Sequence, residues 1–320
     1  MERHEASETA LTAKRAAVLN VTIVLNPAAG RGTGARLRPM LESAVSSAAD
    51  AAETDVFWEI VETTSSGSGI EIARKAAYQG ANVVAAAGGD GTIGEVLNGV
   101  VGSGSRLAIL PLGTGNDFAR NLGVYGNMEL AVRTMISGLP KPTDIGLAGD
   151  RYFLNIAGCG FDAVVAERVN KGYRALRGTA AYLAAITQTL LSYRAPNMQI
   201  TIDGVQSELR AMLCCVANAS SYGGGMRIAP NARIDDGTFD VCILREAGLV
   251  EFLLAFPRVF RGSHVTHPKF SVQPAREVTI ETDRPMPVLV DGEVDLQTPV
   301  SFRIVPNAIE LMCPRPEWNA

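Results

Sequence analysis

The chain has 320 residues, 47% of them hydrophobic, with 32 glycines and a net charge of -4 in which no sign runs long. That length exceeds what one hydrophobic core usually serves and points to two domains, while the charge balance excludes the basic surface that nucleic acid demands of a partner. The five cysteines are odd in number and show no CxxC spacing; they read as buried thiols of a reducing compartment, not as a disulfide framework or a zinc site.

Residues 1–19 are polar and Ala-rich, without the apolar segment of a secretory leader, and read as a flexible lead-in. Residues 21–25 form a short β-branched strand, followed by Asn26-Pro27-Ala28-Ala29-Gly30. Residues 34–47 read as a helix with Leu37, Leu41, Ala44 and Val45 on one face, 56–61 as a strand, and 70–79 as a helix stopped by Gly80. A buried strand over 83–87 leads into Gly88-Gly89-Asp90-Gly91-Thr92, after which Ile93, Val96, Leu97 and Val100 take helical spacing. A strand over 107–110 leads into Pro111-Leu112-Gly113-Thr114-Gly115-Asn116-Asp117. Strand, glycine-rich turn and helix in repetition imply a mainly parallel sheet with helices on both faces.

The pattern changes near residue 145. Residues 152–157 are strand-like, and 199–209 and 288–294 alternate around Asp203-Gly204 and Asp291-Gly292, two hairpin signals. Further strands are expected over 211–217, 239–244, 278–282 and 300–305, interrupted by one long helix over 180–193. The second half is therefore mostly antiparallel. The longest apolar stretch, 178–193, lies between Arg177 and Arg194 and is too short to span a bilayer. The expected location is cytoplasmic, with any lipid reached transiently at the inner membrane surface. Lys171, Arg174 and Arg177 ahead of that stretch could touch an anionic surface, although such a helix more often packs on a sheet.

Glycine-rich turns after parallel strands are where such sheets bind ligands, because bare backbone N–H groups approach phosphate oxygens there. Two of the turns also carry a carboxylate, Asp90 and Asp117. A carboxylate beside a phosphate repels it unless a cation lies between, and Mg²⁺ suits one or two carboxylates plus phosphates. A dinucleotide fingerprint can be drawn through Gly30-Arg31-Gly32-Thr33-Gly34-Ala35, with Glu59 or Glu62 as the ribose acid, but it leaves Asp90 and Asp117 unused. No P-loop and no G-x-S-x-G occurs. His264 and His267 have an H-x-x-H spacing without a third ligand and read as structural or cleft-lining.

Gly88 to Thr92, together with Pro111 to Asp117 and the following Phe118-Ala119-Arg120, resembles the diacylglycerol kinase catalytic family, the bacterial soluble lipid kinases related to sphingosine and ceramide kinases. NAD kinases share the first motif; the second is specific to the lipid kinases. Further resemblance runs through Asn26-Pro27 with Gly30, Thr63, 155–163, 230–237, 264–268 and Asp291-Gly292-Glu293, covering roughly residues 20 to 312. The resemblance implies an NAD-kinase-like α/β domain over 20–144, to which 306–320 returns. It implies an antiparallel β-sandwich over 145–305 that takes the lipid, with the site in the cleft between. It implies an ATP site of Asn26, Thr63, Gly88, Gly89, Asp90, Gly91, Thr92, Glu95, Gly113, Thr114 and Asn116, and a catalytic Mg²⁺ organised by Asp90 and Asp117. Glu293 matches the general base, and Asp236, with the carbonyls of Arg233 and Thr238, matches a second, structural Mg²⁺ site. Gly94 departs from the family, which usually has Asn there. The expected activity is ATP-dependent phosphorylation of diacylglycerol or a related lipid alcohol, by a protein that binds no nucleic acid and whose oligomeric state, a homodimer included, is open. An NAD-kinase-like enzyme with a soluble acceptor and a non-catalytic nucleotide-binding regulator are the alternatives.

Overall fold

The computed structural model describes residues 18–318 except 33, 114, 173–185 and 187, with the backbone alone at 31–32, 34–35 and 170–172. Four strands form the parallel part: β1 (Leu19–Leu25), β2 (Val56–Glu62), β3 (Val83–Gly88) and β4 (Arg106–Pro111). Their order is β2-β1-β3-β4. β3 is buried from end to end, as a strand covered on both faces must be. The covering helices are α1 (Gly34–Asp50), α2 (Ser68–Tyr78), α3 (Asp90–Val100), α4 (Asp117–Leu122) and α5 (Met128–Ser137). The register pairs Leu25 with Ala87, Ala87 with Leu110, and Gly88 with Pro111, so the three glycine-rich turns emerge along one edge of the sheet.

The second half adds β5 (Leu139–Ala148), β6 (Arg151–Phe153), β7 (Ile156–Gly160), α6 (Phe161–Gly172), β8 (Asn197–Ile202), β9 (Val205–Ala217), β10 (Phe239–Arg245) and α7 (Leu249–Ala255). It is completed by β11 (Phe270–Ala275), β12 (Glu277–Thr282), β13 (Pro287–Val290), β14 (Glu293–Gln297) and β15 (Val300–Cys313). One layer runs β14-β13-β7-β9-β10-β11 and the other β9-β8-β12-β15-β5-β6. The long strand β9 belongs to both layers, its first half paired with β8 and its second half with β7 and β10. Between the layers Phe153 stacks on Phe239 at 5.8 Å and meets Phe302 edge-on at 6.4 Å. The antiparallel sandwich beside a mainly parallel α/β half is the expected fold class, and all five cysteines are buried and unbridged.

Two expectations need correction. The strand expected over 152–157 is broken at Leu154 and Asn155, because the Asp291 carboxylate takes the N–H groups of Leu154, Asn155 and Ile156 at 2.8, 2.9 and 3.1 Å in place of a strand partner. The strand expected to end at 305 continues as β15 to Cys313 through a bulge, and its last residues pair with β5 and, in parallel, with β4 at Leu311–Leu107. β5, α5, α6, α7 and β11 were not anticipated. The long helix expected over 180–193 lies mostly outside the described residues; 188–192 are helical.

Asp144 holds the β15 bulge in place. It is 1% exposed, and its carboxylate accepts the Asn307 N–H at 2.8 Å and the Gly237 N–H at 2.6 Å. An acceptor shared by two strands and a loop is costly to remove, because both donors lose their partner inside the protein. Asp144→Ala is expected to lower the unfolding free energy by about 2–4 kcal/mol, read by urea denaturation. A loss under about 0.5 kcal/mol would show that the bulge does not depend on this residue.

Candidate functional site

Asp90 opens α3 and Asp117 opens α4, each directly after a glycine-rich turn. The turns touch: a Cβ on Gly113 would lie 2.5 Å from the Gly89 Cα, a separation that only bare backbone permits. Asp90 Oδ1 accepts the Asp117 N–H at 3.0 Å, and its Oδ2 lies 2.9 Å from where a Cβ on Gly115 would stand. The two carboxylates therefore share one corner of the sheet edge.

The second half closes over this corner. Tyr222 and Met226 form an isolated bridge around Gly223-Gly224-Gly225, whose φ angles are 59°, 83° and 102°. That left-handed run turns successive N–H groups inward as a nest for an anion. Asp117 fills the nest, with Oδ1 accepting from Gly224 at 2.8 Å and Gly225 at 3.1 Å. Asn121 of α4 adds bonds to Asn155, Ser220 and Ser221. Opposite them the β13–β14 hairpin brings in Asp291 and Glu293, and Glu293 Oε1 lies 2.8 Å from the place of a Gly91 Cβ. The enclosed cleft, of about 190 Å³, is lined by Asp90, Asp117, Asn155, Asp291 and the apolar Ile93 and Phe118, and among the described residues no Lys or Arg lines it.

The electrostatics follow from this confinement. Burial, then the charges of Asp117 and Asp291, push the Asp90 carboxyl up to about 6. Burial also raises Asp117 and Asp291, against the N–H groups that each accepts. Such a cluster of hard oxygen donors suits a divalent cation. Among the described residues, however, no three His, Cys, Asp or Glu side chains are grouped as metal ligands.

The remaining expected residues divide. Asn26 donates from Nδ2 to Thr92 Oγ1 at 3.1 Å, tying the end of β1 to α3. Asn116, at φ 48° and 1% exposed, folds back on its own turn, its side chain donating to the Gly113 carbonyl at 2.7 Å. Glu95 is not turned to the cleft: its carboxylate accepts the Gly67 and Gly69 N–H groups at 2.7 and 2.8 Å and caps the start of α2. Thr63 lies beside that cap, its N–H bonded to the Leu25 carbonyl at 2.8 Å. Thr114 is outside the described residues. At Gly94, a Cβ would stand 3.9 Å from the Arg151 guanidinium. Arg233, Asp236 and Thr238 sit on a separate loop that does not line the cleft, where Asp236 Oδ1 accepts the Thr238 N–H and hydroxyl, both at 3.1 Å.

Sequence reasoning missed a second cavity. It holds about 80 Å³ and its lining is overwhelmingly apolar, including Phe161, Val165, Leu213, Phe252 and Phe256. Asp162 and Tyr222 line both this cavity and the acid cleft, so the two share a wall. The Tyr222 hydroxyl donates to Asp162 Oδ2 at 2.9 Å. His264 and His267 line the apolar cavity; His264 Nε2 meets the Ile228 carbonyl at 3.1 Å, and its ring stands edge-on to Phe270. The cavity had no local signal, since its walls come from residues about a hundred positions apart.

Residues 20–148 match the family model described as the diacylglycerol kinase catalytic domain, and residues 155–313 match the one described as the YegS C-terminal NAD kinase beta sandwich-like domain. A protein of Bacillus subtilis (strain 168) named diacylglycerol kinase is 34% identical over 79% of this chain and 84% of its own. One of the same name from Staphylococcus carnosus (strain TM300) is 30% identical over 93% of this chain and 96% of its own. The crystal structure of a diacylglycerol kinase from Bacillus anthracis str. Sterne superposes with a TM-score of 0.74 at 27% identity, covering 94% of this chain and 98% of that one.

The raised carboxyl of Asp90 carries a stability consequence. Its ordinary value is 3.8 and its folded value about 6, so protonation favours the fold. The contribution is complete below about 4 and lost as the pH rises through about 6. A rise of about two units corresponds to roughly 3 kcal/mol. Asp90→Asn keeps an acceptor for the Asp117 N–H. It is expected to raise the metal-free melting temperature at pH 7.5 by roughly 5 °C, and hardly at all at pH 4. An equal shift at both pH values, read by calorimetry in chelator, would show that charge confinement is not the cause.

Proposed function

The chain belongs to the diacylglycerol kinase catalytic-domain family, and from that premise we propose that it transfers the γ-phosphoryl group of ATP to the hydroxyl of diacylglycerol or a related lipid alcohol. The observation that carries this reading is the wall that Asp162 and Tyr222 share between the acid cleft and the apolar cavity. One side offers the anionic corner and bare glycine backbone suited to a metal-bound phosphate; the other offers a surface suited to acyl chains. A soluble acceptor such as NAD has no use for the second. The acid lining further favours an uncharged lipid head group over an anionic one.

In this reading the turns at Gly88–Asp90 and Gly113–Asp117 face the phosphates, and the bond from Asn26 to Thr92 holds the end of β1 against the first of them. Asp90 and Asp117 would hold Mg²⁺, which neutralises the charge that develops on the phosphoryl oxygens. The acceptor oxygen attacks the γ-phosphorus, the bond to the bridging oxygen breaks and ADP leaves. Glu293, adjacent to Gly91, takes the hydroxyl proton, a contribution of about 10²–10⁴-fold. The family's second Mg²⁺ would take Asp236 and the carbonyls of Arg233 and Thr238, a set of hard oxygen donors. Asp144 fixes their loop through Gly237.

Radiolabelled ATP presented with a panel of diacylglycerol, monoacylglycerol, phosphatidylglycerol, sphingosine, ceramide and NAD tests the proposal. A neutral lipid alcohol is expected to take the label; label on NAD alone, or on nothing, contradicts it. Glu293→Gln should lower kcat at least about a hundredfold with ATP affinity kept within about threefold. Gly91→Ala supplies an independent check, because the new methyl group must displace the Glu293 carboxylate. Its kcat should fall while the melting temperature holds or rises, Ala being the better helix former; unchanged kcat would remove Glu293 from the site.

A further inference from the structure

Helix α7 is apolar on both of its sides. Phe252 faces inward and walls the apolar cavity. Leu249, Val250, Leu253 and Leu254 face solvent, 42%, 69%, 52% and 74% exposed. Their spacing of i, i+1, i+4 and i+5 sets them in one stripe along the helix. The 3₁₀ turn Phe256–Arg261 extends the stripe with Phe260, half exposed and edge-on to Phe256. Nearby, Leu191 is 73% exposed, while Leu190 beside it packs on the same cluster as Phe252. Contiguous exposure of large aliphatic side chains is unusual on a soluble surface and marks contact with a partner.

We propose that this stripe is the surface by which the protein lies on an anionic lipid bilayer, with the rim of the apolar cavity turned toward the bilayer. The inference rests on the lipid-kinase reading above and specifies how its substrate arrives. Two observations select a bilayer. First, the same helix walls the cavity with Phe252 and carries the stripe on its other side, so a single helix separates the docked bilayer from the apolar cavity. Second, the charge is complementary. The one acid of α7, Glu251, lines the cavity side and is neutralised by Lys269 at 2.6 Å, whereas the turn beside the stripe carries Arg258 and Arg261. Cations next to an apolar helix face are the pattern that holds interfacial helices on anionic head groups. Among the described residues no helix is long and apolar enough to cross a membrane; a stripe of this size reaches only the boundary between head groups and acyl chains.

The test compares the intact protein with its L253E/L254E variant, at exposed positions outside the lining of both the cleft and the cavity. Binding to vesicles of phosphatidylglycerol and phosphatidylcholine is measured by co-sedimentation. Phosphorylation is measured with long-chain diacylglycerol in those vesicles and with dihexanoylglycerol dispersed as monomers. The variant is expected to bind vesicles at least about tenfold more weakly and to lose activity on the vesicular lipid in proportion. Its rate on the monomeric lipid should stay within about twofold of the intact protein's. Undiminished vesicle binding, or equal loss on both lipids with an unchanged melting temperature, overturns the proposal. So does a shift from dimer to monomer with vesicle binding intact, which would assign the stripe to a second copy of the chain. If the intact protein phosphorylates neither lipid yet the variant alone loses vesicle binding, the kinase reading fails and the docking surface stands.

Discussion

The structure turns on negative charge confined between two halves of the chain. Asp117 belongs to the α/β half, yet the donors that hold its carboxylate are the Gly224 and Gly225 N–H groups of the sandwich half. Asp90 stands in the same corner without such a nest and is pushed up to about 6 by burial and by the other acids. The clasp at Asp117 fixes how the halves meet, and the strain at Asp90 is what a cation would relieve. A protein that needed only stability would not gather acids in this way, because burying like charges together opposes folding. The arrangement makes sense as a site kept incomplete until its ligand supplies the opposite charge.

The same corner explains why the apolar cavity lies where it does. Asp162 lies in the first turn of α6, directly after β7, and its bond to Tyr222 joins it to the loop that also holds Asp117. One short loop thus sets the acid cleft on one side and the apolar cavity on the other. Asp291 fixes the opposite rim, anchoring the segment from Leu154 to Ile156 while its neighbour Glu293 lies against Gly91. In the proposed function, lipid and nucleotide chemistry would meet at the wall that Asp162 and Tyr222 form.

What was legible in the sequence was local. The turns carrying Asp90 and Asp117 could be read because a buried strand, bare glycines and a helix start lie within a few residues of one another. The hairpins at Asp203-Gly204 and Asp291-Gly292 announced themselves through turn chemistry, with both Asp residues at positive φ. β5 carries Pro140 and Pro142, residues that sheets admit only at edges or bulges. They are tolerated where β5 pairs with β15 alone, on its other side an open edge. Glu95 was expected at the nucleotide through the family resemblance alone; its bonds to two N–H groups at the start of α2 had no local signal. The grip of Gly224 and Gly225 on Asp117 joins residues more than a hundred positions apart, and nothing in either stretch names the other.

The central claim is that the acids of the cleft hold a divalent cation against the phosphates of the nucleotide. Titration calorimetry of ATP into the protein, first in chelator and then with excess Mg²⁺, measures it most directly. The account predicts weak binding without the metal and at least tenfold tighter binding with it, a gain that disappears in Asp90→Ala. Equal affinity in the two conditions would contradict it, because a cleft lined by acids could then accept bare phosphates without an intervening charge.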